Sequence, residues 1–445
     1  MGTNSIWKST FSLVRAMRYY INGGMLLMIM AVLALIMANS PWAGAYFSFW
    51  QQPVHLQIGS FNVFNHGSHP LTLLEFINDA LMAVFFFSTG LEIKRESLVG
   101  ELSSFRQAML PIIAACGGMI MPVLIFAFIA HGTPAEGGMA IPMATDIAFS
   151  LGVLSLFGKR VPLSLKIFLT TFAVADDIGG ILVIALFYST HLSYMHLLLS
   201  AVILLILCAG NAMKVYNRWF YLCLGAVMWY LFLQSGIHAT IAGVVVAFTI
   251  PATPRESVGK YIDRIKSALS HFTVSPKQTT LLSNEQIDTL KKVETASDRI
   301  VSPLQALEDD LYGFVTYVVM PVFAFANAGV TIVKPDGSIE YGVVSTAIIA
   351  GLVIGKFVGI YSFTTISILT GLTKMPKGMS FKNLTGICLL GGIGFTVSLF
   401  IAQLSFGNDP DLLGQSKIGV VCGTVIAGIL GSIVLKLTLP KKTAE

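Results

Sequence analysis

Gly137–Gly152 reads GGMAIPMATDIAFSLG, an apolar run with a carboxylate, Asp146, in its interior and three residues that oppose a continuous helix. Gly137 and Gly138 carry the largest entropic cost of helix formation, and Pro142 lacks the amide hydrogen that a helix uses. A broken helix at membrane depth persists where it lines a cavity, and its freed carbonyls can hold a cation. Thr145, next to the carboxylate, adds a hydroxyl oxygen. A simple kink at Pro142 is the plainer reading.

The surroundings of this run are those of a membrane chain. Of 445 residues, 55% are hydrophobic and 11% charged, and the mean hydropathy is +0.76. Soluble domains carry about 25% charged residues, so much of this surface has to face lipid. Twelve stretches approach the roughly 20 residues of a bilayer span: 21–39, 72–95, 107–130, 137–156, 163–187, 193–212, 216–233, 236–251, 309–331, 343–370, 382–404 and 416–438. Lys8, Arg15 and Arg18 before the first stretch resemble the flank of a signal peptide. That stretch is long enough to span and others follow it, so it reads as a retained first helix. Between the spans, 25 of the 28 Lys and Arg residues fall on one side, with Lys334 and Lys417 opposite and Lys356 inside a span. By the positive-inside rule this predicts twelve helices with both termini in the cytoplasm.

The organisation expected is an all-α polytopic membrane protein with one transport domain: helices one to eight in 1–251, a cytoplasmic linker at 252–308, and helices nine to twelve in 309–445. The linker mixes Lys, Glu, Asp, Ser and Thr with Pro254, Pro276 and Pro303, and is too short for a substantial core. One amphipathic helix is expected in it near Asn284–Ile300. The formal charge of +5 is small for a nucleic-acid binder. The five cysteines lie in apolar segments without a CxxC pair, as packing residues do.

A second interrupted segment, Leu384–Phe400 (LTGICLLGGIGFTVSLF), carries Gly386, Gly391, Gly392 and Gly394. Small residues alone indicate close helix packing. Position adds to that: the interrupted spans are the fourth and the eleventh, each the middle of a three-helix set, as an inverted repeat requires. Two facing breaks bring positive and negative dipole ends to mid-membrane, where a carboxylate and a lysine could compensate them.

Ionisable groups at this depth cost about 2.5–3.5 kcal/mol each on insertion scales. They have to be paired, hydrated, protonated or bound to a cation, and a stabilising ion-pair cluster is the bland alternative to a transport site. Asp176 and Asp177 stand together in Phe172–Phe187 (FAVADDIGGILVIALF). Neighbours on a helix point about 100° apart, so one can look into a cavity toward Asp146 while the other meets a base. Lys356, in Ile349–Ile360 (IAGLVIGKFVGI), is the base at that depth. A carboxylate poor in water holds its proton more tightly, and a hard cation that neutralises it displaces that proton. Sodium and protons would then compete for one site. Asp79, beside Asn78, fits an entrance funnel or packing. Glu92, Lys94, Arg95 and Glu96 fit a solvated helix end or a charge cluster near the ion entrance, and His238, at the start of the eighth span, fits a structural interfacial histidine or a member of the entry and pH-response set.

Seven stretches in order, INDALMAVFFFSTGLEIKRE, PMATDIAFSLG, FAVADDIGG, GIHATIAG, PVFAFANAGV, IGKFVGI and GGIGFTVSLFIAQLSFG, resemble the NhaA-type sodium/proton antiporters of bacterial inner membranes. The resemblance covers nearly the whole chain apart from 252–303. It implies twelve helices with two crossed, interrupted ones. Asp177 is then the principal ion-binding carboxylate, Asp146 sits at the crossing with Thr145 nearby, and Asp176 pairs with Lys356 and shares in proton exchange. Glu92, Arg95, Glu96 and Glu308 match the family's pH-responsive cluster. The resemblance further implies electrogenic exchange, acceptance of lithium, and a homodimer. Two departures are visible: the linker is longer than the family's compact form, and Asp309 and Asp310 after Glu308 are more acidic than its pattern.

The function expected is therefore secondary transport of sodium, lithium and protons, with no enzymatic activity, no cofactor and no nucleic-acid partner. Sodium-coupled symport of an organic solute would need groups to read that solute, and no such set is evident. An intramembrane aspartyl protease needs two aspartates sharing one proton, and no GxGD-like sequence accompanies Asp146 or Asp177.

Overall fold

The computed structural model describes residues 23–55, 57–58, 61–62, 64–66, 69–188, 192–255, 258–270, 284, 287–291, 300–332 and 340–439. The expected all-α membrane architecture is what forms. In chain order the helices are α1 (Gly23–Ala38), α2 (Ala43–Trp50), α3 (Leu73–Val99), α4 (Phe105–Ala130), α5 (Ile147–Ser155), α6 (Leu163–Phe187), α7 (Tyr194–Ala212), α8 (Arg218–Ser235), α9 (Ala239–Thr249) and α10 (Val258–Ser270). They continue with α11 (Pro303–Asn327), α12 (Val343–Leu369), α13 (Phe381–Leu390), α14 (Phe395–Phe406) and α15 (Pro410–Thr438). Two hairpins of two-residue strands, Gln57–Ile58 with Phe61–Asn62 and Asn65–His66 with His69–Pro70, fill the connection before α3.

Among the described residues, seven helices (α3, α4, α6, α7, α11, α12, α15) are long and apolar enough to cross a membrane. Three bent pairs extend the count to ten: α1 with α2 at 115°, the stretch Pro134–Met143 with α5 at 47°, and α13 with α14 at 43°. Helices α8 and α9, of 18 and 11 residues, account for the two remaining hydrophobic blocks. Phe128, Leu186, Phe187, Leu205 and Leu437 point outward, as lipid-facing residues do.

Backbone contact replaces side-chain bulk where helices cross. A Cβ on either Gly117 or Gly359 would collide with the carbonyl oxygen of the other, which brings α4 and α12 into direct contact. Lys94 donates from Nζ to the carbonyls of Phe248 (2.7 Å) and Ile250 (2.5 Å), closing the C-terminal end of α9 with a cation. Three long helices contain a π-helical turn: Ile77–Leu81 in α3, Val315–Val319 in α11 and Gly351–Gly355 in α12. The last immediately precedes Lys356 and sets the rotation of that residue on its helix.

Three boundaries differ from the sequence reading. The first half of the earlier interrupted span is two 3-10 turns, Pro134–Gly138 and Ile141–Met143, and the chain opens at Ala144–Asp146, after the glycines. Gly138 instead lies against Phe406 and Gly386 against Leu435, as packing glycines, while Gly391–Gly394 form the second break. Helix α11 begins at Pro303 rather than 309, because Ser302 caps it by accepting the amide of Gln305 and Pro303 needs no donor partner at the first position. Of the amphipathic helix expected near Asn284–Ile300, only residues 284, 287–291 and 300 lie among those described, and these are helical. The described amphipathic helix of the linker is α10, earlier in the chain.

Candidate transport site at the crossed chain breaks

The two broken spans meet at their openings and exchange reciprocal hydrogen bonds. Ser150 donates from Oγ to the Leu390 carbonyl (3.0 Å), and Ser398 donates from Oγ to the Ile141 carbonyl (2.8 Å). In each case a serine in the first turns of one outgoing half-helix satisfies the end of the opposite incoming half. The Asp146 amide donates to the Ile393 carbonyl at 2.7 Å, and Thr145 donates from Oγ1 to the Gly391 carbonyl at 2.8 Å. Carbonyls that a broken helix leaves open are thus largely occupied by protein donors.

Asp146 sits where two helix N-termini converge. One carboxylate oxygen accepts the Phe149 amide at 2.9 Å, as the N-cap of α5. The other accepts the Thr396 amide at 3.1 Å and the Thr396 hydroxyl at 2.5 Å, at the start of α14. A negative group between two positive dipole ends is the favourable arrangement. Thr396, Ser150 and Ser398 were not singled out in the sequence. The signal available was a hydroxyl residue a few positions past each break.

Lys356 supplies the positive counterpart. Its Nζ donates to Asp176 Oδ2 at 2.7 Å and to Thr145 Oγ1 at 2.9 Å, with both charged side chains fully buried. The Phe172 ring faces the same ammonium, its centroid 5.6 Å away. Lys356 therefore compensates Asp176 and, through Thr145, the negative end of the incoming half-helix at Gly391. The second oxygen of Asp176 has no hydrogen-bond partner.

Asp177 faces elsewhere. Among the described residues nothing donates a hydrogen bond or an ion pair to its carboxylate, which lines a cavity of about 330 Å³ together with Thr145 and Asp146. The cavity runs from these residues past Ser88 and Thr89 to Glu92, Ser155 and Tyr312 at the Lys/Arg-rich end of the bundle. There Arg95 binds Glu96 (2.9 Å) and Glu308 (3.3 Å), joining α3 to α11. Asp310, one of the extra acidic residues, is held by Arg218 of α8 at 2.5 Å.

Asp79 and His238 do not line this cavity. Asp79 stands in the π-helical turn of α3, about 20 Å along the helix from Glu92 at 1.5 Å per residue. Its backbone carbonyl accepts from the Trp229 indole at 3.2 Å. His238 precedes α9, shares a hydrogen bond with Thr240 (3.1 Å) and stands edge-on to Phe400 at 5.4 Å. The structure thus brings together Thr145, Asp146, Asp176, Asp177 and Lys356, and at the mouth Glu92, Arg95, Glu96 and Glu308.

The chain as a whole is similar to a set of bacterial proteins. It is 65% identical to the Na(+)/H(+) antiporter NhaA of Phocaeicola vulgatus over 435 residues, covering 98% of each chain. It is 57% identical to the NhaA of Bacteroides fragilis over 95% of this chain and 97% of that one. With the Na(+)/H(+) antiporter NhaA 2 of Syntrophotalea carbinolica it shares 44% identity over 96% of both. The model of the family described as Na+/H+ antiporter 1 matches residues 15–435. Crossed breaks around a compensated aspartate, a buried Asp–Lys pair, a free carboxylate in a cavity and these matches along almost the full length lead to one conclusion: the chain belongs to the Na+/H+ antiporter 1 family.

Proposed function

We propose that this protein is an electrogenic sodium/proton antiporter of the bacterial inner membrane that also accepts lithium, with Asp177 as the carboxylate over which cation and proton compete. The observation that carries this is the contrast between neighbouring aspartates. Asp176 has Lys356 and Asp146 has two helix N-termini, whereas Asp177 has only the cavity. A buried carboxylate without a partner is stable protonated or with a cation beside it, and not bare.

In this reading sodium enters from the Lys/Arg-rich side, which the positive-inside rule makes cytoplasmic. It takes its oxygens from Asp177, with Asp146 and the Thr145 hydroxyl as further ligands, and displaces the proton. Alternating access then turns the site to the other face, where protons displace sodium outward. The Asp176–Lys356 pair takes part in the proton exchange. A membrane potential of 100 mV is worth about 2.3 kcal/mol per net charge moved, roughly a fifty-fold bias. Glu92, Arg95, Glu96 and Glu308 at the cavity mouth form the pH-responsive cluster, with Asp79 on the opposite approach. His238, beside Thr240 and Phe400, is the remaining candidate for that entry and pH-response set. The working unit is a homodimer, and the activity controls intracellular pH and sodium.

The deciding experiment is sodium-induced proton release from the purified protein in detergent, repeated with Asp177→Asn. Release of protons by the parent and none by the variant is expected. A variant that still couples sodium to proton flux in vesicles removes Asp177 from the mechanism.

A further inference from the structure

The linker contains a surface that ion exchange does not use. Helix α10, VGKYIDRIKSALS, has apolar residues at positions 258, 261, 262, 265, 268 and 269, which one helical turn after another places along a single stripe. Ile262 is 45% exposed although it lies on that stripe. Lys260, Arg264 and Lys266 outnumber Asp263, so the helix carries a net positive charge.

The N-terminal side of α10 is held close to the bundle. Arg255 lies over the Tyr216 ring, 6.0 Å from the centroid, in the connection between α7 and α8. Two residues of chain separate Arg255 from the start of α10 at Val258, a reach on the order of 10 Å. At the far end of the linker, the Leu304 amide donates to the Pro251 carbonyl at 3.2 Å, which closes the linker into a loop on the same end of the bundle. A short helix with a narrow apolar stripe and basic residues is therefore tethered at the level where membrane helices end.

We propose that α10 lies flat on the surface of the bilayer at the Lys/Arg-rich end, with anionic phospholipid headgroups as its partner. Such a helix sinks its apolar stripe into the boundary between headgroups and acyl chains and places its cations among lipid phosphates. The charge complementarity selects a lipid surface over a second copy of this chain, whose linker carries the same sign.

The test is hydrogen exchange read by mass spectrometry on the full-length protein, reconstituted in vesicles of pure phosphatidylcholine or with phosphatidylglycerol added. Amides of 258–270 should exchange about tenfold more slowly in the anionic bilayer, and raised salt should remove the difference. Ile262→Asp with Ile265→Asp should abolish the protection, and Lys260→Gln with Lys266→Gln should abolish its dependence on lipid charge, while both proteins continue to exchange ions. Equal exchange in the two bilayers overturns the proposal. Protection that follows the density of protein in the vesicle instead of lipid charge also overturns it, in favour of contact between copies.

Discussion

Replacing Lys356 by methionine removes the cation that faces Asp176 and keeps most of the volume of the side chain. In the native protein Nζ lies 2.7 Å from Asp176 Oδ2 and 2.9 Å from Thr145 Oγ1, with no solvent on either charged group. Thr145 retains its own hydrogen bond to Gly391, so the loss concentrates on Asp176, whose second oxygen already lacks a donor. Breaking a buried pair from one side costs about 3–5 kcal/mol. With tenfold for every 1.4 kcal/mol, this is roughly 140- to 3,700-fold in the folding equilibrium. The companion change Asp176→Asn strands the lysine instead and should cost a similar amount. The double variant leaves no unpaired charge and should fall within about 1 kcal/mol of the parent, or above it. Equilibrium unfolding in mixed dodecylmaltoside and dodecylsulfate micelles, followed by tryptophan fluorescence, yields the full double-mutant cycle. Additive single costs in the double variant, or a Lys356→Met cost below about 1 kcal/mol, would show that this pair is not what makes the buried lysine tolerable.

Asp146→Ala should cost more stability than Asp146→Asn in the same titration, since alanine leaves both the Phe149 and Thr396 amides without an acceptor, at about 1 kcal/mol per lost cap. Ser150→Ala and Ser398→Ala should have nearly equal effects of about 0.6 kcal/mol, the mean for hydrogen bonds between membrane helices, because the two serines play the same part in opposite halves. Gly359→Ala should lower the yield of folded protein on size-exclusion chromatography, as its methyl group has backbone of α4 and no movable side chain to displace first. Arg95→Ala should change stability by no more than about 1 kcal/mol, since the pair is partly solvated. It should still move the pH profile of sodium/proton exchange in vesicles toward alkaline values, because Glu96 and Glu308 lose the positive charge they share.

Much of this architecture could be read locally. Hydropathy and the one-sided distribution of Lys and Arg mark the spans because each span meets lipid independently of its neighbours. The two interruptions were visible as glycine and proline in apolar runs, although the opening after Met143 was placed too early. A glycine that breaks a helix and one that lets another helix approach look alike in a sequence; Gly391 and Gly386, five residues apart, differ only in what stands opposite them. The linker helix α10 is a further element that the sequence reading does not single out, beside the helix expected near Asn284–Ile300, most of which lies outside the described residues. Its apolar stripe is short, and a polar stretch later in the linker has the same period.

The chain order of residues determined that Asp176 and Asp177 would point about 100° apart, and that one lysine would lie at their depth. It did not determine which aspartate meets that lysine. That choice depends on the rotation of α6 against α12, which the π-helical turn Gly351–Gly355 and the close approach of α4 and α12 at Gly117 and Gly359 settle together. Lys356 and Asp176 are 180 residues apart, and Asp146 and Thr396 are 250 apart. Contacts over such separations follow from how helices pack, so the sequence names the charged groups and the tertiary structure decides which of them is left without a partner.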